Sequence, residues 1–243
     1  KEMAWEYADK MIRGIHEEHK WFPFVTQEEV AATEKEDRIF QSEILFGLYN
    51  LKRKENVYSV GFGPNLKQGS VLRIDKDIMN EMYEGDENDF RLAYWFSDMV
   101  DPDNNSYTHM IKYMDVDDLD TKTEISKGYT YIMPVLRVSE VYLIAAECCP
   151  DPKVGRDYLN AVRSVRNVKN VADEVDLTTV IEQEFRREFL GEGQLFWLYK
   201  RKGKAEIISG ETQGKVVSME ERFYLFDLPQ SERDYREENG IGN

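Results

Sequence analysis

Two strings within residues 134–201 constrain this chain more than anything else in it: PVLRVSEVYLIAAE at 134–147 and IEQEFRREFLGEGQLFWLYKR at 181–201. In the first, Val138, Val141, Tyr142 and Ala145 recur at three-and-four spacing, which puts their side chains on one face of a helix. Arg137, Glu140 and Glu147 take the other side, so the apolar face has to be covered by a second element. In the second, Ile181, Phe185 and Phe189 form a stripe four residues apart, and Glu182, Glu184, Arg186, Arg187 and Glu188 fill the rest of the surface. Thr179, three residues before Glu182, has capping-box spacing and predicts the helix start there. Gly191 and Gly193 predict the stop, because glycine closes a last turn in left-handed backbone without a Cβ clash.

Together with YLNAVRSVRN at 158–167, these strings resemble the SusD/RagB family, the surface nutrient-binding lipoproteins of Bacteroidetes. The likeness is carried by Pro134, Leu136, Arg137, Glu140, Tyr142, Leu143, Ala146 and Glu147, then by Leu159, Asn160 and Arg163. It continues through Glu184, Arg186, Arg187, Glu188, Phe189, Gly191, Glu192, Gly193, Lys200 and Arg201. Weaker likeness reaches QSEILFGLYN at 41–50, the pair Asp89 and Arg91, and LPQSE at 228–232, so it spans nearly the whole chain. The family usually continues into an Asn-Pro containing close, which SERDYREENGIGN at 231–243 lacks.

The resemblance implies a mainly α fold: a SusD-like scaffold with tetratricopeptide-like helix pairs and a loop-rich insertion with short strands. The chain would be the C-terminal portion of one SusD-like domain, with helical scaffold over 1–50 and 131–205, insertion over 51–130 and a C-terminal extended segment over 206–243. It also implies a binding protein with no catalysis and no cofactor, which captures oligosaccharide for a SusC-like TonB-dependent transporter of the outer membrane. Such a protein sits at the extracellular face, held by a lipid anchor that lies outside this sequence. RagB-like peptide capture is the alternative within the family, and a helical-repeat adaptor binding only other proteins is the alternative outside it.

The totals agree. With 243 residues the chain can bury a sizeable core. Acidic residues outnumber basic ones, 47 against 32, for a formal charge of −15 with no run of Lys or Arg to compensate locally. That argues against nucleic acid or an anionic bilayer as partner, since each needs a concentrated basic face. The only cysteines, Cys148 and Cys149, are adjacent, so they build neither a long-range disulfide nor a two-pair zinc site. No apolar stretch approaches the ~20 residues of a membrane span. The chain opens on KEMAWEYADKMI, which reads as the inside of a helix, so the natural N-terminus is expected to lie upstream.

In chain order, Ala4, Tyr7, Ala8, Met11, Ile12 and Ile15 predict an amphipathic helix over 3–15 that needs a partner. Thr26 and Glu29 predict a capped helix running to about residue 33. Ile44 to Tyr49 reads as a buried strand or extended segment. Residues 51–130 are rich in Gly, Asn, Asp and aromatics, with turns predicted at Gly61 to Pro64, Gly85 to Asp89 and Asp101 to Ser106, a helix over 77–83 and strand fragments over 94–96 and 109–113. A helix pair is predicted over 137–149 and 155–167, with its neighbour over 179–189 continuing at 194–200. Leu195, Phe196, Trp197, Leu198 and Tyr199 read as too apolar for a solvent-facing turn, and 223–228 as a short extended segment.

Candidate sites narrow quickly. Arg186, Arg187, Glu188, Glu192 and Arg201 read as a structural ion-pair network rather than an acid–base array. His16 and His19 show no third metal ligand, and Asp101, Asp103 and Asn105 start a calcium-type loop that Ser106 and Lys112 fail to complete. GFGPNLKQG at 61–69 lacks the residues of a dinucleotide or phosphate loop. No Gly-x-Ser-x-Gly or His-Glu-x-x-His string occurs. A glycoside hydrolase would need two carboxylates facing each other across an aromatic cleft, and nothing in the sequence points to such a pair. Aromatic rings beside hydrogen-bonding groups remain, the combination that holds the apolar faces and hydroxyls of a sugar. Tyr58, Tyr83, Trp95 and Tyr107, in the irregular half with Asp86, Asn88, Arg91 and Asn104 nearby in sequence, are the expected ligand-binding residues.

Overall fold

The computed structural model of the chain describes residues 1–31, 37–63, 66, 72, 74–84, 86–113, 131–210, 212 and 214–240. Among these it is mainly helical, with three two-stranded antiparallel sheets. Helix α1 (Glu2–Met11) runs on through wider π-type turns at Ile12–Glu18. Ala8 and Ile12 of the predicted stripe are buried, while Met3 and Tyr7 are exposed. Helix α2 (Gln27–Ala31) carries the predicted capping box in full. The Glu29 amide donates to Thr26 Oγ1 at 3.2 Å, and the Thr26 amide donates to Glu29 Oε2 at 2.9 Å.

Strand β1 (Ile44–Tyr49) forms as expected but is not buried: Phe46, Leu48 and Tyr49 are exposed. Its one partner among the described residues is a later strand, and register shifts between Ile44 and Gly47 break the inside–outside alternation. The irregular half then proves more regular than its composition suggests. It contains π-type turns at Lys54–Phe62, α3 (Lys76–Met82), α4 (Phe90–Trp95) and a hairpin of β2 (Phe96–Val100) with β3 (Ser106–Met110). Asp75 caps α3 and Asp89 caps α4 through their carboxylates. Residues 94–95, read as strand, finish α4 instead. The predicted Gly61 to Pro64 and Gly85 to Asp89 turns fall partly outside the described residues.

The largest departure is β4 (Ile132–Arg137), which pairs antiparallel with β1 over the stretch read as the approach to a helix. Pro134 is tolerated because, among the described residues, this sheet has two strands and β4 lies at its edge, so one side of β4 needs no donor. Helices α5 (Val138–Cys148) and α6 (Pro152–Val165) follow as the expected pair, with α1 lying against α5. Helix α7 (Leu177–Glu188) starts earlier than Thr179 because Asp176 takes the cap, accepting from the Thr179 amide at 2.9 Å. Helix α8 (Gln194–Lys202), the hairpin of β5 (Glu206–Ile208) with β6 (Val216–Ser218), and α9 (Gln230–Glu238) complete the chain. Residues 206–243, read as extended, therefore hold a hairpin and a helix; Arg236 and Glu232 pair at 2.9 Å one turn apart in α9.

The chain divides into two compact units, Lys1–Leu195 with Gly210–Gln213 and Phe196–Ser209 with Gly214–Asn243. The core of the first is aromatic, centred on Phe40, Tyr58, Tyr83, Phe90, Trp95 and Tyr113, with Ile44, Ile132 and Met133 of the β1–β4 sheet packed against it. Short helices and hairpins bury little backbone-borne apolar surface. Large rings, each covering roughly 150–250 Å², supply what the elements lack.

Candidate functional site

That core decides the fate of the four predicted ligand-binding rings. Tyr58, Tyr83, Trp95 and Tyr107 are all buried, Tyr83 and Trp95 completely. Trp95 Nε1 donates to the Arg38 carbonyl at 2.7 Å, one ring face stacks on Phe40 at 5.0 Å, and the Lys112 ammonium lies 3.8 Å from the ring centroid. The Tyr83 hydroxyl donates to the Arg187 carbonyl at 3.3 Å, and its ring meets Phe96 edge-on. Tyr107 packs edge-on against His109. A sugar stacks on an open ring face, and none of the four presents one here. The aromatic composition of this half reflects its need for a core.

Beneath those rings lies a network of charges that the sequence indicates only in part. Glu188, the last residue of α7, accepts from Arg91 at 2.8 Å, from Arg137 at 2.6 Å and from Arg166 at 2.7 Å. Glu43, just before β1, accepts from Arg166 at 2.7 Å and Arg137 at 3.1 Å. Glu184 takes Arg91 at 2.8 Å and Arg163 at 2.9 Å, and Asp89 takes Arg91 at 2.6 Å. Gly191, at φ +77, turns the chain after α7 so that Glu192 reaches Arg137 at 2.8 Å and Lys112 at 2.6 Å. All these side chains are buried.

Electrostatics confirm that the network is a strut. Burial opposes ionisation of Glu188, but Arg166, Arg137 and Arg91 outweigh it and hold the carboxyl well below its ordinary value. Glu184 is likewise lowered, burial being outweighed by Arg91, Arg187 and Arg163. Burial pushes Glu43 up against the same two arginines, so on acidification Glu43 takes a proton before Glu188. Burial also lowers Lys112 to about 8, with Glu192 offsetting part of the cost. Each carboxylate of the network is paired with fixed cations and shut away from solvent, an arrangement that joins elements far apart in sequence.

The remaining sequence candidates are engaged locally. His16 Nδ1 lies 2.7 Å from the Tyr142 hydroxyl, and His19 stacks on Trp21 at 4.9 Å. Asp101 accepts from the amides of Asp103 and Asn105 at 2.9 and 2.8 Å, closing the β2–β3 turn.

Open aromatic faces occur elsewhere. In the first unit Tyr49 is 64% exposed and its ring lies 5.5 Å from that of Tyr131, beside exposed Phe46 and Leu48. In the second unit Trp197 is 53% and Phe226 69% exposed, with ring centroids 5.9 Å apart. The apolar pattern of the sequence predicts both Tyr49 and Trp197 in the interior. The signal for Trp197 was present: Lys200 and Arg201 follow it at three and four residues, so it shares the polar face of α8 while Leu198 and Tyr199 turn inward.

Residues 2–236 match the family model described as SusD family. Among solved structures, a SusD superfamily protein from Bacteroides thetaiotaomicron superposes with a TM-score of 0.66 at 22% identity, over 95% of this chain and 54% of its own. A SusD-like carbohydrate binding protein from Bacteroides vulgatus gives 0.64 at 15% identity, over 96% and 54%. A second B. thetaiotaomicron SusD superfamily protein gives 0.56 at 17% identity, over 82% and 47%. The chain thus spans about half the length of these structures, which share its fold. No curated protein matches.

Proposed function

Because the chain belongs to the SusD family, we propose that it is part of a surface glycan-binding lipoprotein that captures oligosaccharide and passes it to a SusC-like TonB-dependent transporter. The protein works at the extracellular face of the outer membrane, held there by a lipid anchor. The family match over residues 2–236 carries this reading. The buried network agrees with it, since its carboxylates are committed to arginines and none is left to act on a substrate. Capture then needs shape and several weak contacts rather than reacting groups. Those contacts fall to the open rings, Tyr49 beside the half-buried Tyr131 in one unit and Trp197 with Phe226 in the other.

Native gels cast with a panel of polysaccharides test the reading: at least one polymer should retard the purified protein, and its structure should emerge unaltered from prolonged incubation. Retardation by none, combined with retention on immobilised peptides, would move the function to peptide capture. Release of reducing ends would make the protein an enzyme.

A further inference from the structure

The second unit differs in charge from the rest of the chain. Residues 196–209 and 214–243 hold as many Lys and Arg as Asp and Glu, so the net −15 resides wholly in the first unit. Contrary to the expectation that no run of Lys or Arg compensates the charge locally, Lys200, Arg201, Lys202 and Lys204 fall within five residues at the end of α8 and just beyond it, a basic cluster that the whole-chain totals conceal. Within this cluster Lys200 stands 5.7 Å from the centroid of Trp197 and 5.8 Å from that of Phe226. Among the described residues no carboxylate lies within ion-pair distance of it, whereas the buried cations of the first unit are matched to carboxylates.

The two rings are tilted 55° to each other and braced from behind by Phe196, 5.2 Å from Trp197 and 5.3 Å from Phe226. An ammonium equidistant from two open rings is the complement of a ligand with an apolar face and a negative charge at its edge. Neutral sugars supply only the first. From this geometry we infer that Trp197, Phe226 and Lys200 form a subsite for an acidic saccharide, one whose sugar ring lies on the aromatic pair and whose uronate carboxylate meets the Lys200 ammonium. The inference rests on the glycan-capture reading and narrows it to polyuronates. The charge distribution favours this location, because the polyanion approaches the one unit that does not repel it.

Affinity electrophoresis of the full chain in polygalacturonate, alginate or hyaluronan, each paired with its carboxyl-reduced derivative, tests it. At least one uronate polymer should retard the protein, and its reduced form should do so several-fold less. Lys200→Gln should weaken that binding about tenfold, the loss of one charge-assisted contact. Lys200→Arg should restore most of it, Trp197→Ala should abolish it, and Met3→Ala, at an exposed apolar position of the first unit, should leave it unchanged; unaltered thermal melts check that each variant is folded. Equal retardation by the reduced polymers, or wild-type binding by Lys200→Gln, overturns the subsite while glycan capture stands. Binding to none of the uronates but to a neutral polysaccharide does the same, and binding to no polysaccharide removes both readings.

Discussion

Arg166 shows how a single side chain can hold distant parts of the sequence. It follows α6, yet its guanidinium joins Glu43 to Glu188 and lies 4.3 Å over the Phe40 ring. Arg166→Met would remove the stronger of the two buried partners of Glu43 and leave it beside Glu188 with Arg137 as their shared cation. A broken buried ion pair costs about 3–5 kcal/mol, more than the arginine's packing alone accounts for. Urea unfolding should show that loss, and adding Glu43→Leu should recover part of it, since the under-compensated buried charge is then removed; a double variant no more stable than Arg166→Met would contradict this account. Lys112 makes a second residue-scale case, through pH. Its folded value of about 8 lies below the ordinary 10.5, so between those values the unfolded chain binds more protons and stability rises with pH. The gain by linkage is at most roughly 3 kcal/mol, at ~1.36 kcal/mol per pH unit of difference. Above pH 10 the sign reverses, because burial raises Tyr83 and Tyr113 beyond their ordinary 10.0 and keeps them protonated only in the folded state. Unfolding midpoints between pH 8 and 10 should therefore climb in wild type and stay flat in Lys112→Met.

At the scale of elements, the α5–α6 contact is set by Gly155, where an added Cβ would lie 2.8 Å from the Ala146 carbonyl oxygen and 3.2 Å from Leu177. Helix propensity alone predicts that Gly155→Ala gains about 1 kcal/mol. The crowding it creates against backbone costs about 1–3 kcal/mol, so the net effect should be a loss. Calorimetry decides it: a raised melting temperature would mean that the two helices can move apart without cost. These helices were readable in the sequence because their apolar residues keep a 3.6-residue period and their ends carry Asp, Pro or Gly. β4 was not, because Pro134, Leu136 and Arg137 read as a helix approach and nothing local reveals that Ile44 to Tyr49 is waiting as a partner. The ion pairs of α7 were foreseen as structural, whereas their burial was not. Charged residues announce where they sit on a helix, but what closes over them is decided by Glu43, Arg91 and Arg137 from far along the chain. For the same reason aromatic richness could not separate binding faces from core: Trp95 and Trp197 differ only in what surrounds them.

For the whole molecule, two populations of charge respond oppositely to salt. The buried network is closed to ions and is screened little. The chain as a whole carries a net −15, and the repulsion among its surface charges acts on the compact state over a distance that falls from about 30 Å in 0.01 M salt to about 3 Å at 1 M. Exposed pairs such as Lys76 with Asp98, 3.9 Å apart, offset little of it, each being worth well under about 1 kcal/mol. Relief of self-repulsion should therefore exceed the loss of surface pairs, and the melting temperature should rise as sodium chloride is increased. A gain of 1 kcal/mol corresponds to about 2–4 °C for a chain of this size. Differential scanning fluorimetry from 0.01 to 1 M measures it; a falling melting temperature would mean that exposed ion pairs, rather than the enclosed network, hold the fold together.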